Sequence, residues 1–136
     1  MGLQEKSKTS RPLYKSFMFA FQGIKGVVKS ERNMKIHLAA ACAVLFFGWY
    51  FSVSRLEWLF LLVAISGTIT LEMVNSAIER TVDLITGDIH PLAKQAKDIA
   101  AGAVLVYAVF SVLTGLIIFL PRLFGIMYYV ISPLLR

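Results

Sequence analysis

Between residues 68 and 86, polar side chains recur at a spacing that stacks them on one side of a helix. Thr68, Glu72, Asn75, Ser76, Glu79, Asp83 and Thr86 fall within about a 100° arc when each residue turns roughly 100°, while Ser66, Thr70, Arg80 and Thr81 lie off it. The preceding run, Trp58 to Leu71, is uncharged and mostly apolar. If Trp58 marks one membrane interface, about 20 residues cross the hydrocarbon, which places Glu79 near the inner boundary and Glu72 roughly 10 Å deeper. A carboxylate at that depth costs a few kcal/mol or more, and such residues usually face a bundle interior or a substrate path. One reading of Glu72 is a polar staple, hydrogen-bonded to Asn75 or to a neighbouring chain. Seven polar residues in one arc, two of them glutamates, favour chemistry instead, with Glu72 as a general base toward a hydroxyl.

Glu79 belongs to a wetter setting, with Asp83 one turn on, Asp88 after Gly87, and Lys94, Lys97 and Asp98 leading into the next helix. Carboxylates beside ammonium groups suit a magnesium-bound polyphosphate, because the hard cation takes oxygen ligands and lysines take phosphate oxygens. Taken separately, Asp88 and Lys94 read better as a solvated charged loop. No conventional nucleotide motif is present: Gly23-Ile-Lys-Gly-Val-Val-Lys29-Ser30 spaces its glycine and lysine wrongly for a P-loop, and Asp83 to Asp88 does not fit a calcium loop.

The elements that must position these residues follow from composition. The chain has 136 residues, 57% hydrophobic and 16% charged, with mean hydropathy +0.70 and a net charge of +6, which excludes most soluble folds. One membrane domain over 1–136 leaves no room for a separate nucleotide- or DNA-binding module. Residues 1–35 hold eight Lys or Arg against Glu5 and Glu31 and so carry the whole +6, while the remainder is neutral. A basic flank joined to apolar spans points to anionic lipid and not to nucleic acid. Cys42 sits in an apolar run as a packing residue.

Residues 1–11 form a polar tail. Over 13–30, Leu13, Phe17, Ala20, Ile24 and Val27 recur at helical spacing opposite lysines, the pattern of an amphipathic surface helix. Three transmembrane helices are expected over 36–54, 57–85 and 99–120, the last stopped by Pro121-Arg122. The fold class is therefore all-α integral membrane. Trp49, Tyr50 and Phe51 make an outer aromatic belt, and His37, at the start of the first span, reads as a histidine reaching the interface. The placement of Lys and Arg puts the N-terminus and the Asp83 to Asp98 connection in the cytoplasm of a cell-membrane protein.

The run Glu72-Met-Val-Asn75-Ser76-Ala77-Ile78-Glu79-Arg-Thr-Val82-Asp83, followed by Ala96-Lys97-Asp98-Ile-Ala-Ala101-Gly-Ala103, resembles the signature of the small prokaryotic diacylglycerol kinases. Phe21-Gln-Gly23 and Glu31-Arg-Asn33-Met-Lys-Ile-His37 add to it. The Glu-Arg-Asn segment and the Gly115 to Pro121 ending are similar to the Gram-positive branch, whose members act mainly as undecaprenol kinases. The resemblance implies a homotrimer with sites shared between neighbouring chains, phosphorylating a lipid alcohol with ATP and Mg2+. By motif it implies Glu72 as the base, Asn75 beside it, Glu31 and Glu79 as magnesium ligands, and Lys97 and Asp98 on the nucleotide. Asp88, Ile89 and His90 fall where the family binds the adenine end, and Pro12 stands where the family often has a basic residue.

Undecaprenol is thus the expected substrate, with diacylglycerol as the alternative, since both present a primary alcohol at the same depth. A small proton-coupled transporter would explain a buried Glu72. It leaves Glu79 and the Lys97-Asp98 pair without a role.

Overall fold

In a computed structural model, described for residues 12–87 and 90–131, the chain forms four helices: α1 (Leu13–Ser30), α2 (Arg32–Tyr50), α3 (Arg55–Ile85) and α4 (Pro91–Ile131). No strand occurs among the described residues. The expected tail over 1–11 lies outside them.

Helix α1 buries only Val27, so its apolar stripe, with Phe17 and Ile24, faces outward as an interfacial helix requires. It is separated from α2 by one residue, Glu31, whose backbone is extended. Helix α2 starts a turn before the span expected over 36–54 and ends at Tyr50, where the backbone turns through Ser52 at a φ of 49°. Ser54 then opens α3 with a reciprocal cap: its backbone N–H donates to Glu57 Oε2 at 2.7 Å, and the Glu57 N–H donates to Ser54 Oγ at 3.3 Å. Helix α3 runs unbroken for 31 residues, close to the expected 57–85.

Pro91 occupies the first position of α4, where its missing N–H costs nothing. The connection between α3 and α4 is therefore only a few residues long, and most of the Asp83 to Asp98 stretch expected as a loop is helical. Helix α4 also corrects the expectation of a stop at Pro121, since it continues through that residue to Ile131. The proline removes the N–H that would reach the Ile117 carbonyl, but Arg122 strengthens the same turn. Its Nη1 donates to the Ile118 carbonyl, and its Nη2 pairs with Glu57 Oε2 at 2.8 Å, tying α4 to the start of α3. Among apolar neighbours a helix keeps the remaining backbone groups satisfied.

Among the described residues, two helices, α3 and α4, are long and apolar enough to cross a membrane. The polar first turns of α2, with Arg32, Asn33, Lys35 and His37, keep it outside that class. Helix α4 lies along α3, and α2 packs on α3 as well. Gly67 allows the closest approach: a Cβ there would stand 2.1 Å from the Tyr107 ring, whose hydroxyl donates to the Val63 carbonyl at 3.0 Å. The best-buried apolar cluster, Val53, Leu61 and Ile118, closes the end of the bundle away from the polar stripe. Elsewhere large apolar side chains point outward, as on α4 at Leu105, Val106 and Ile117.

Candidate active site

Helix α3 delivers the centre of the stripe to the interior. Glu72 is 2% exposed and Ser76 1%, with Thr68 and Asn75 also buried, whereas Glu79 is half-buried and Asp83 exposed. The arc predicted from spacing thus becomes a gradient from dry to wet along a single helix face. Its deepest member is structural: Thr68 Oγ1 lies 2.8 Å from the Ala64 carbonyl and 2.9 Å from Ser111 Oγ on α4.

The next three are differently placed. Glu72, Asn75 and Glu79 line a cavity of about 260 Å³, with Asn33 and His37 of α2 facing them and Ala101 and Val104 of α4 closing the side. Asn75 Nδ2 donates to Glu79 Oε1 at 2.9 Å, so the amide orients one carboxylate while sitting beside the other. Glu72 Oε2, Asn75 Oδ1 and Ser76 Oγ are buried and make no hydrogen bond among the described residues. A buried polar atom without a partner costs about 1–3 kcal/mol, so the two that belong to cavity-lining residues, on Glu72 and Asn75, mark a place shaped for something else to bind. An apolar cavity of about 360 Å³ adjoins it, sharing Ile36, His37 and Ala108 and continuing along Val44, Leu61 and Ile65.

Glu31 does not line the cavity. It sits at the α1–α2 junction, where Ser30 Oγ approaches its Oε1 to 2.9 Å and Arg80 Nη2 pairs with the same oxygen at 3.1 Å. The Ser30 hydroxyl, and after it the Arg80 guanidinium, hold the Glu31 carboxyl below the usual carboxylate range.

Toward the end of α3 a third cavity, of about 470 Å³, is lined by Asp83, Thr86, His90, Lys94 and Lys97. Lys97 Nζ donates to Asp83 Oδ1, joining α4 to the stripe. Asp98 does not join this cavity: it is exposed and paired with Lys94 one turn back on its own helix. Asp88 and Ile89 lie outside the described residues.

Sequence reasoning gave no site role to three residues here. Arg80 lies off the arc but reaches Glu31. Asn33 and His37, four apart, share one face of α2, and that spacing was the available signal.

The donor set can be tested against a metal. No group of three His, Cys, Asp or Glu able to hold an ion occurs among the described residues. Magnesium does not need one, because it keeps several waters and is typically held by one or two carboxylates together with substrate phosphates. Glu79, half-buried and oriented by Asn75, and Glu31, with Oε2 making no hydrogen bond among the described residues, each offer the kind of carboxylate oxygen such an ion takes.

Comparison with known proteins gives the same direction. A family model described as prokaryotic diacylglycerol kinase matches residues 18–119. The chain is 54% identical over 110 residues to an undecaprenol kinase of Bacillus subtilis, covering 81% of this chain and 89% of that one. It is 35% identical over 113 residues to a diacylglycerol kinase of Synechocystis, covering 82% of this chain and 65% of that one. A diacylglycerol kinase of Helicobacter pylori is 34% identical over 107 residues, 77% of this chain and 82% of that one.

Proposed function

Because the chain belongs to the prokaryotic diacylglycerol kinase family, we propose that it transfers the γ-phosphoryl group of ATP to undecaprenol, yielding undecaprenyl phosphate and ADP. It is a membrane lipid kinase, and the relative with the strongest similarity reported above is an undecaprenol kinase. The observation that carries the site assignment is the Glu72 carboxyl, buried with Oε2 unbonded, in a cavity that Glu79 also lines.

In this reading Glu72 accepts the proton of the lipid hydroxyl as its oxygen attacks the γ-phosphorus, and the bond from phosphorus to the bridging oxygen breaks to release ADP. Asn75 holds Glu79 in position and stands next to the reacting hydroxyl. Glu31 and Glu79 would supply carboxylate oxygens to the magnesium of Mg-ATP, which would neutralise charge on the phosphate oxygens. Lys97 presents its ammonium group to the phosphates, with Asp98 at the outer edge, and His90, Asp88 and Ile89 take the adenine end. The apolar cavity beside Glu72 receives the first part of the prenyl chain.

The assembly that suits this chemistry is a homotrimer of three-span subunits in the cell membrane, with the N-terminus cytoplasmic. Exposed Phe46, Phe47 and Trp49 on α2 support a third span that faces lipid or a neighbouring subunit. So short a chain encloses little of a nucleotide by itself, which favours sites completed by a second subunit. Initial rates of the purified protein in nanodiscs, with undecaprenol and with diacylglycerol at equal surface density, test the substrate. A clear preference for undecaprenol is expected, and equal or greater turnover of diacylglycerol would reassign it.

A further inference from the structure

Arg80 follows Glu79 directly, but the two side chains serve different partners. Glu79 turns into the cavity through Asn75, while Arg80 crosses to the α1–α2 junction. There its Nη2 donates to Ser30 Oγ at 2.7 Å and to Glu31 Oε1 at 3.1 Å, and Ser30 Oγ lies 3.0 Å from the Gly26 carbonyl of α1. Glu31 is the single residue between two helices, and α1 buries only Val27, so little else fixes the direction of that carboxylate. The pair is half-exposed, and its value to global stability is small. Its effect is on orientation: one oxygen of Glu31 is occupied and the other is left available.

We propose that Arg80 is a positioning residue for the kinase: by clasping Ser30 and Glu31 it aims the free Glu31 oxygen at the metal of Mg-ATP that Glu79 also binds. This rests on the magnesium reading of Glu31 and Glu79 given above. The structural basis is that adjacent residues of one rigid helix set both carboxylates, one directly and one through the guanidinium. A fork of planar donors suits this task better than a lysine, whose ammonium is a point charge on a flexible stem.

The experiment uses the full-length protein in nanodiscs, checked for monodisperse elution, as wild type, R80A, R80K, E31Q and the double variant E31Q/R80A. Binding of Mn2+ in the presence of a non-hydrolysable ATP analogue is followed by loss of the free-ion EPR signal, and kinase rates are titrated with magnesium in parallel. Removing a group that orients a metal ligand typically costs 10–100-fold in metal affinity, so R80A should weaken Mn2+ binding by about tenfold or more. The magnesium requirement should rise by the same factor, with kcat at saturating magnesium and the KM for lipid unchanged. R80K should recover part of the loss, and the double variant should bind no more weakly than E31Q. A shift in E31Q without one in R80A overturns the clasp alone, whereas no shift in E31Q overturns the magnesium reading and the clasp with it. Further weakening by R80A in the E31Q background would show the guanidinium acting on phosphate directly, which also overturns the proposal.

Discussion

Replacing Glu72 by glutamine keeps the length and volume of the side chain and removes only its ability to take a proton. General-base assistance contributes roughly 10²- to 10⁴-fold, or about 3–5 kcal/mol in the barrier. Glu72→Gln is expected to lose activity within that range. The other carboxylate of the cavity, Glu79, lies seven residues further along α3, about 10 Å by helical rise, and its Oε1 is engaged by Asn75. No second carboxylate therefore stands within reach of the same hydroxyl, and the His37 imidazole, which lines the same cavity, is the other group able to take a proton. Because Glu72 makes no contact with the nucleotide end, binding of a non-hydrolysable ATP analogue should not change. The same site predicts the opposite sign for stability: Glu72→Leu removes a buried polar atom that has no partner, and should raise resistance to unfolding by about 1–3 kcal/mol while eliminating activity. Single-turnover phosphoryl transfer in nanodiscs measures the first effect, and thermal or denaturant unfolding of the same preparation measures the second. Activity of Glu72→Gln within tenfold of wild type would refute the catalytic role. A destabilised Glu72→Leu would show that the carboxyl is a polar staple after all.

Lys97 and Lys94 separate a binding role from a surface one. Lys97→Gln loses the tie to Asp83 and, in the function proposed above, a cation for the phosphates, and should raise the KM for ATP by about tenfold or more; Lys94→Gln breaks only an exposed pair with Asp98 and should leave it within about twofold. Gly67→Ala drives a methyl group into the Tyr107 ring and should destabilise by about 1–3 kcal/mol, a loss that adding Tyr107→Ala relieves; no relief would place the conflict elsewhere. Ser54→Ala removes the cap of α3 and should cost about 1 kcal/mol in unfolding measurements with kcat unchanged.

The polar stripe was legible because a helix turns by a constant angle, and types spaced by three and four must share a face. That logic recovered α3 nearly to its ends and placed Glu72, Asn75 and Ser76 inside. It failed for Arg80 because the arc describes where a Cβ points, while a guanidinium reaches several ångströms past it to another helix. His37 was read only as a group reaching the interface, because the first span was expected over 36–54 and no partner for the ring could be placed. With the helix beginning at Arg32, His37 stands in the second turn and faces Glu72 across the cavity. Pro121 misled for a different reason: proline forfeits one backbone hydrogen bond and crowds the carbonyl four residues back, but where no water can satisfy an unwound backbone the rest of the helix persists through it. The pairing of Lys97 with Asp83, and not with its neighbour Asp98, depends on how α4 lies against α3, which no local pattern encodes.

The outward-facing apolar surface of α4 bears on how this protein comes apart. In a bilayer that surface meets lipid both when α4 is docked and when it is separated, so little apolar area passes into water. What joins α4 to α3 is then close contact at Gly67 and a few polar links: Tyr107 to Val63, Ser111 to Ala64 and Thr68, and, at the two ends, Lys97 to Asp83 and Arg122 to Glu57. Calorimetry in bilayers should accordingly record separation of these helices with a heat-capacity increment far below the ~12–15 cal/mol/K per residue of water-soluble domains. The transition should carry mainly an enthalpy of packing and hydrogen bonds, and cooling should not weaken it in the way it weakens a core built by exclusion of water.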